Sequence, residues 1–212
     1  MEKSLMVKRS LILDANNILY RTFFAHINDA SSDPEDLIGL CHHSALWAIR
    51  SYYNEYPADE IVIAFDSKSW RKLYTSDLDE CVTYLKYKGQ RRQGLTKKQE
   101  EEFRNLDAHI NELYEILRDQ TSLLVLKEHL LEADDLIAGY IQSNPETKHV
   151  LITSDKDYMQ LLCKHDLTII DPASGKPRSL KDWDNDPDLF LFEKCIRGDK
   201  SDNIISAYPI LS

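Results

Sequence analysis

The chain has 212 residues, of which 42% are hydrophobic, so it can bury one sizeable core, and we expect a single domain over residues 1–212. No apolar run approaches the roughly 20 residues that a membrane-spanning helix needs, and no apolar signal-peptide core follows the first charged residues. We therefore expect a cytoplasmic protein without a membrane partner. The four cysteines are too widely spaced for a zinc site or a disulfide framework, and we expect mostly buried thiols.

The formal net charge of -10 is unusual for a protein that binds nucleic acid, because such proteins normally carry a basic surface. The charges are unevenly distributed, however. Residues 81–99, here called the basic segment, contain no Asp or Glu but carry Lys86, Lys88, Arg91, Arg92, Lys97 and Lys98. Carboxylates concentrate instead in four short clusters, at residues 132–135, 155–157, 182–188 and 199–202.

Apolar runs and helical patterns alternate along the chain. Buried strands are predicted at residues 11–14, 60–66, 122–126, 149–155 and 167–170. Helices are predicted at about 15–25, at 34–53 behind the N-cap candidate Asp33, from a Thr96–Gln99 capping box to Leu117, and at 132–142, 156–163 and 187–197. Gly198 should end the last of these helices. This alternation predicts an α/β fold with a mostly parallel central sheet flanked by helices.

Carboxylates follow the predicted strands at the points where the strands end. Asp14, Asp66 and Asp155 end three strands, and residues 132–135 (EADD) open the helix after another. The carboxyl ends of parallel strands meet at one edge of a sheet, where ligands bind. Like charges there would raise one another's pKa unless a cation neutralised them, and an all-oxygen set favours Mg²⁺ or Mn²⁺. The number of acids indicates two ions.

Each acid alone also has a structural explanation. Asp14 could cap the following helix, as could Asp155 and Asp157, and the acids at 132–135 would favour a helix dipole by a few tenths of a kcal/mol. These explanations do not predict that all the acids share one edge of the sheet. Repulsion between the carboxylates there would cost more free energy than helix capping contributes. The joint arrangement favours a metal site.

Five blocks in this order resemble the 5′ nuclease family, also called flap endonucleases, which includes the 5′-nuclease domain of bacterial DNA polymerase I and phage 5′ nucleases. The blocks are residues 13–21 (LDANNILYR), 64–66 (AFD), 132–135 (EADD), 153–157 (TSDKD) and 198–203 (GDKSDN). In character the chain is most similar to the ribonuclease H of T-even phages. The resemblance implies a PIN-like fold with a helical arch, in a bacterial or phage-infected cell.

The resemblance also implies a set of metal ligands. One ion would lie among Asp14, Asp66, Asp134 and Asp155, which would be catalytic, with Glu132 and Asp135 beside them. A second would be held by Asp157, Asp199 and Asp202. Two Mg²⁺ or Mn²⁺ ions would activate the attacking water and stabilise the leaving 3′-oxygen. The substrate would be DNA with 5′ ends or flaps, or an RNA/DNA hybrid such as an RNA primer, in replication or repair.

The basic segment resembles the family's arch, because residues 87–91 (YKGQR) match its Y-K-x-x-R element. Lys88 and Arg91 would be catalytic by pointing at the scissile phosphate and offsetting charge in the transition state. Four other cations would hold the nucleic-acid strand electrostatically, namely Lys86, Arg92, Lys97 and Lys98. It is equally consistent with the sequence that they form a solvated face.

Aromatic side chains near these blocks are candidates for stacking on unpaired bases. Tyr20 and Tyr87 are the candidates, although either could be a core tyrosine, and Arg21 joins the nucleic-acid-binding set. His42 and His43 fall on a predicted helix and are assigned no role.

Two departures from the family affect the substrate. After Asn203 the Gly-rich start of the duplex-binding helix-hairpin-helix module is absent or truncated, and residues 69–80 show no clear family pattern. Alternatives are a PIN-type ribonuclease, which would cleave only RNA, and a non-catalytic nucleic-acid-binding scaffold, which would lack some of the acids. An aspartyl-phosphate phosphatase would need a second acid that residues 14–16 (DAN) do not supply. We expect a monomer, and the sequence indicates no replication partner.

Overall fold

The apolar runs of the chain pair into one parallel sheet. In this computed structural model the described residues are 7–26, 34–77, 86–91 and 93–207. The sheet has five strands in the order β3-β2-β1-β4-β5, which are β1 (Arg9–Asp14), β2 (Glu60–Ala64), β3 (Leu124–Leu126), β4 (Lys148–Ile152) and β5 (Leu167–Ile170). All four pairings are parallel, as predicted.

Helices cover the sheet. They are α1 (Ala15–His26), α2 (Pro34–Glu55), α3 (Trp70–Asp77), α4 (Lys97–Gln120), α5 (Ala133–Ser143) and α6 (Pro187–Arg197), with 3₁₀ helices at Asp157–Leu161 and Lys181–Trp183. Among the described helices, none has both the length and the apolar character that crossing a bilayer requires.

Successive residues of the central strand β1 face opposite sides of the sheet. Leu11 and Leu13 pack in a core with α1, α2 and α4, whereas Ile12 belongs to a second core with α5. All three side chains are fully buried. A strand that is buried on both faces has a continuous apolar sequence. This explains why the predicted strands show no alternation of apolar and polar residues.

The register brings strand ends to the same level. Leu13 pairs with Ile63 on one side and with Ile152 on the other, and Asp14 pairs with Ala64. The segments that leave β1, β2 and β4 therefore begin at one edge of the sheet. This edge is the one to which the sequence assigned the acids.

Two helices begin or end at the capping residues that the sequence predicted. Thr96 caps α4 with a complete capping box, in which Gln99 donates its backbone N–H to the Thr96 hydroxyl at 3.3 Å and accepts from the Thr96 backbone at 2.9 Å. Gly198 ends α6 with a φ of 72°. The N-cap candidate Asp33 lies outside the described residues.

Other details differ from the prediction. The segment predicted as a helix at 156–163 contains a five-residue 3₁₀ helix. Helix α3 was not predicted because its eight residues give only about two turns of pattern, and its apolar side chains Trp70, Leu73 and Tyr74 are exposed. The expectation of mostly buried thiols is wrong for two cysteines. Cys41 is buried, but Cys163 and Cys195 are exposed, while Cys81 lies outside the described residues.

Candidate metal centre

The acids at the carboxyl edge of the sheet surround one open cavity of about 980 Å³. Seven of the nine predicted ligands line it, namely Asp14, Asp66, Glu132, Asp134, Asp155, Asp157 and Asp199. Asp202 lines an adjoining cavity together with Asp134 and Asp157, and Asp135 faces Arg71 instead. The structure thus brings together residues from five separate segments of the chain.

Five aspartates of the cavity also accept backbone N–H groups, among them the three that end or follow strands. Asp14 accepts from the amide of Asn17 at 2.9 Å, Asp66 from that of Ala133 at 2.8 Å, and Asp155 from that of Asp157 at 2.8 Å. The structural explanation of these acids is therefore correct, but it accounts for only one oxygen of each. The bonds fix the orientation of carboxylates at the cavity.

Four acids of the cavity are costly to ionise. Burial raises the pKa of Asp14 to about 7, helped by repulsion from Asp66, Asp155 and Asp134 and opposed by the bond from Asn17. Burial, with repulsion from Asp135 and Glu132, raises the pKa of Asp134 to about 6. Burial is also the main reason why the pKa values of Asp66 and Asp155 are raised. A cation at this position would remove the repulsion.

Glu132, the N-cap residue of α5, is held by four donors. Its Oε1 accepts from Lys88 Nζ at 2.7 Å, and its Oε2 accepts from the Ser69 hydroxyl at 2.8 Å, the Tyr87 hydroxyl at 3.1 Å and Arg71 Nη1 at 3.2 Å. Burial opposes its ionisation, but the bonds from Lys88, Ser69 and Tyr87 outweigh burial and lower its pKa. Glu132 is therefore an ionised anchor for the basic groups around the cavity.

Arg71, on α3, is a site residue that the sequence analysis missed. It forms a bidentate ion pair with Asp135, with Nη1–Oδ2 at 2.9 Å and Nη2–Oδ1 at 2.7 Å. This pair is the main reason why the pKa of Asp135 is lowered. The available signals were an arginine soon after the strand that ends near Asp66 and the helical spacing of Trp70, Leu73 and Tyr74, but eight residues make only a short pattern.

A second missed residue is Lys194, on α6. Its ammonium forms ion pairs with Asp157 and with Asp199, the latter at 3.2 Å from Oδ2. Burial opposes ionisation of Asp199, but bonds from Ser201 and Lys194 outweigh it, so its pKa is lowered. A lysine in the final turn of a helix before the acidic loop was the only sequence signal.

The described part of the basic segment packs on the loop that carries Asp199 and Asp202. Lys88 has a positive φ of 53° and donates its backbone N–H to the Asp202 carbonyl at 2.9 Å. Arg91 donates to Asp202 Oδ1 at 2.6 Å, and Lys88 Nζ lies 4.0 Å from Asp202 Oδ2. Both predicted catalytic cations therefore lie at the acidic cavity.

The other four cations of the basic segment either do not line the acidic cavity or have side chains outside the described part of the structure. Lys86 donates to the carbonyl of Thr75 at 2.8 Å and lines a neighbouring cavity, while Lys97 is exposed at the start of α4. Arg92 and the side chain of Lys98 lie outside the part of the chain that the structure describes. The predicted arch is described only from residue 86, and residues 86–91 and 93–96 form turns and irregular structure.

The predicted stacking residues have different surroundings. Tyr20 and the exposed Arg21 both line the acidic cavity, and the Tyr20 hydroxyl donates to Asp107 at 3.3 Å. Tyr87 directs its hydroxyl at Glu132, and the ammonium of Lys88 lies 4.8 Å from its ring centroid. Tyr20 is therefore better placed than Tyr87 to meet a base entering the cavity.

The donor set fits a hard divalent cation. Carboxylate oxygens of Glu132, Asp134 and Asp135 lie within 4.8 Å of one another. The buried Tyr158 hydroxyl has no hydrogen-bond partner among the described residues, and its pKa is raised by burial and by the nearby aspartates. A solvated ion among these aspartates would satisfy such a group. All of these ligands offer oxygen, as Mg²⁺ and Mn²⁺ prefer.

Residues 9–186 match the family described as the 5′-3′ exonuclease, N-terminal resolvase-like domain. The chain belongs to the 5′-3′ exonuclease family. A curated relative of the family is DNA polymerase I of Caldicellulosiruptor bescii, 28% identical over 92% of this chain. This chain spans only 22% of that polymerase.

Solved structures show the same fold. A bacteriophage T5 protein co-crystallised with metal ions superposes with a TM-score of 0.73 at 22% identity, covering 95% of this chain and 71% of that one. A T5 flap endonuclease in complex with DNA and metal ions gives a TM-score of 0.71 at 20% identity, with the same coverage of both chains. These matches confirm the predicted α/β fold of the 5′-3′ exonuclease family.

Proposed function

We propose that the chain is a structure-dependent 5′ nuclease, a 5′-3′ exonuclease or flap endonuclease that hydrolyses phosphodiester bonds with two Mg²⁺ or Mn²⁺ ions. The observation that supports this most strongly is the single cavity in which seven carboxylates meet Lys88 and Arg91. Family membership and the T5 structures with metal ions and DNA support the same function.

The acids divide into two sets that would hold the ions. Asp14, Asp66, Asp134 and Asp155 form no ion pair among the described residues, so their oxygens remain available to the first ion. Asp157, Asp199 and Asp202 would hold the second. When bound, such ions supply an activated water and stabilise the leaving oxygen.

Lys194 and Arg91 now neutralise the second set of acids. A divalent ion there would compete with the ammonium of Lys194 for Asp157 and Asp199. Lys194 would then turn to the phosphate backbone of the substrate, which is a common partner of lysine at protein–DNA interfaces.

Lys88 and Arg91 would bind the phosphate that is cut. Lys88 Nζ lies between Glu132 and Asp202, and its side chain is only 14% exposed, so it is held at one position. A fixed cation stabilises charge that develops on a phosphate without having to reorganise during the reaction. Glu132 orients Lys88 by accepting a hydrogen bond from its ammonium.

The proposed substrate is DNA with a 5′ end or flap, and an RNA/DNA hybrid is a second possible substrate. An open cavity with basic residues on one side suits a single strand that leaves a duplex. Tyr20 and Arg21 on α1 line the cavity and would contact the nucleotides beside the cut.

Cleavage of labelled substrates tests the proposal. A 5′-flap, a nicked duplex and an RNA/DNA hybrid are incubated with wild type, Asp155→Asn and Asp166→Asn, each with Mg²⁺ and with chelator. Asp166 is an exposed acid at the amino end of β5, away from the cavity, and so serves as the matched control. We expect cleavage only with Mg²⁺, near-normal cleavage by Asp166→Asn, and a loss of at least 100-fold for Asp155→Asn.

Cleavage that persists in chelator or in Asp155→Asn would refute the metal mechanism. Cleavage restricted to RNA would favour a PIN-type ribonuclease instead.

A further inference from the structure

Two histidines and a glutamate form a small group between α2 and α4, apart from the acidic cavity. His42 lies on α2, and His109 and Glu112 lie one turn apart on α4. One nitrogen or oxygen of each lies within 4.8 Å of those of the other two. None of the three is among the described residues that line the acidic cavity.

Hydrogen bonds orient both imidazole rings. Nδ1 of His109 lies 3.0 Å from Oε2 of Glu112, and Nε2 of His42 lies 3.1 Å from the backbone carbonyl oxygen of His109. A carbonyl oxygen only accepts hydrogen bonds, so Nε2 of His42 carries the hydrogen and Nδ1 keeps a free lone pair in the neutral ring. A ring nitrogen that donates to a backbone carbonyl is the usual support of a metal-binding histidine.

We propose that His42, His109 and Glu112 bind one Zn²⁺ ion that joins α2 to α4. Two imidazoles and a carboxylate suit zinc, whereas Mg²⁺ prefers ligand sets made only of oxygen. Ligand atoms on a tetrahedral zinc ion lie about 3.3 Å apart, given metal–ligand bonds of about 2.0–2.1 Å. The 3.0 Å between His109 and Glu112 is already close to this separation.

The zinc ion takes the place of the hydrogen that now joins Nδ1 of His109 to Glu112, and in the neutral ring this proton moves to Nε2, which leaves the Nδ1 lone pair for the ion. His42 would complete the set through Nδ1, while Nε2 keeps its hydrogen bond to the backbone carbonyl of His109. The Glu112 side chain is 57% exposed, so the ion can enter from solvent and water can fill the fourth coordination position. The ion holds the middle of α4, the helix that follows the basic segment, against α2.

Zinc titration by calorimetry in excess Mg²⁺ tests the site, because excess Mg²⁺ competes for the oxygen ligands of the acidic cavity. We expect wild type to bind one Zn²⁺ per chain, and His42→Ala and His109→Ala to bind it at least tenfold more weakly. His43→Ala is the matched control, since His43 is the exposed neighbour of His42 and lies outside the group, and it should bind zinc as wild type does.

Glu112→Gln separates loss of a ligand from loss of folding, because the side chain is mostly exposed. It should melt like wild type without zinc but gain less thermal stability when zinc is added.

Co²⁺ gives a spectroscopic check, since its visible absorption should report nitrogen ligands in wild type and weaken in His42→Ala. The proposal is overturned if wild type binds no zinc, or if the three ligand variants bind it as tightly as wild type does. The site is independent of the proposed nuclease activity, so cleavage with Mg²⁺ alone should be unchanged in Glu112→Gln.

Discussion

Four basic side chains divide the acids of the cavity into two kinds. Arg71 and Lys88 hold Asp135 and Glu132, while Arg91 and Lys194 hold the acids of the second set. The remaining four, Asp14, Asp66, Asp134 and Asp155, form no ion pair among the described residues and have raised pKa values. The paired acids position basic groups, and the unpaired acids are left for a metal ion.

Arg71 is expected to affect metal binding and cleavage through the acids that it positions. Arg71→Ala should lower metal affinity and cleavage by about 10–100-fold, the usual cost of losing a partner that orients metal ligands. Arg71→Lys should recover only part of this, because lysine cannot form the bidentate pair with Asp135. Metal titration and single-turnover cleavage measure both effects. Lys72→Ala, an exposed change on the same helix, should have little effect, and an equal loss in this control would contradict the assignment.

Lys88 is expected to act on the chemical step. Lys88→Ala should slow single-turnover cleavage by about 100-fold or more with a much smaller change in DNA affinity, because it removes a fixed cation at the phosphate that is cut. Lys97→Ala, at the exposed start of α4, should weaken binding slightly and leave the chemical step unchanged. Equal losses of binding and rate in Lys88→Ala would show that it only holds the strand.

At the scale of elements, the loop after α6 places Asp199 and Asp202 through one glycine. Gly198 has a φ of 72°, and a Cβ at this position would meet Ile204 O and Ile205 C at 2.5 Å and Ile205 O at 2.6 Å. Asp199 and Ile204 exchange backbone hydrogen bonds of 2.8 Å in both directions, which closes the loop. The position therefore requires glycine for its conformation and for its close packing.

Gly198→Ala should disrupt the loop and lower both thermal stability and cleavage. The left-handed conformation and the backbone clash together should cost about 2–4 kcal/mol. Gly175→Ala is the matched control, because Gly175 has a similar φ of 66° but a Cβ there would meet no atom within 4 Å, so only the conformational cost of about 1 kcal/mol applies. Thermal melts and cleavage rates compare the two. Similar losses in both variants would show that close packing at Gly198 is unimportant.

The sequence predicted the elements that carry an apolar pattern or a capping signal. The strands, the capping box at Thr96 and the end of α6 at Gly198 are of this kind, and the acids follow because they occupy fixed positions relative to strand ends. Helix α3 has only eight residues and its apolar side chains Trp70, Leu73 and Tyr74 are exposed, so the helix, and Arg71 with it, was missed. Ion pairs such as Lys194 with Asp157 depend on how α6 packs, which local sequence does not determine.

At the scale of the whole molecule, the unpaired acids link stability to pH and to metal. Asp14 has a pKa of about 7 when folded and an ordinary value of 3.8. Between these values the folded state binds a proton that the unfolded chain has lost, so stability falls as pH rises from about 4 to about 7. The lowered pKa values of Glu132, Asp135 and Asp199 act in the opposite direction but only at lower pH, below about 4.5.

The metal-free protein should therefore lose about 2–3 kcal/mol of its free energy of unfolding between pH 5 and pH 8. A pKa difference of one unit between the folded and unfolded states corresponds to at most about 1.4 kcal/mol, and the expected loss is smaller than the full differences would give because water reaches the cavity and screens the charges. Divalent metal should raise the melting temperature more at pH 8 than at pH 5. Asp14→Asn should flatten the pH dependence in chelator, stabilise the metal-free protein at pH 8, and gain less from metal. Melting curves in chelator and in Mn²⁺ at both pH values measure these effects. A metal-free stability that rises over this range would contradict the assignment.

The central position of β1 also affects the chain while it is being synthesised. Of the five strands the ribosome makes β1 first, but one side of this strand stays unpaired until β4 emerges much later, when Leu13 meets Ile152. A growing chain therefore exposes an apolar strand edge that can pair with other chains, which makes early folding intermediates prone to aggregate. The same delay keeps Asp14 away from Asp155, so a growing chain that lacks β4 has no complete cation site and should gain no stability from divalent metal until β4 has paired.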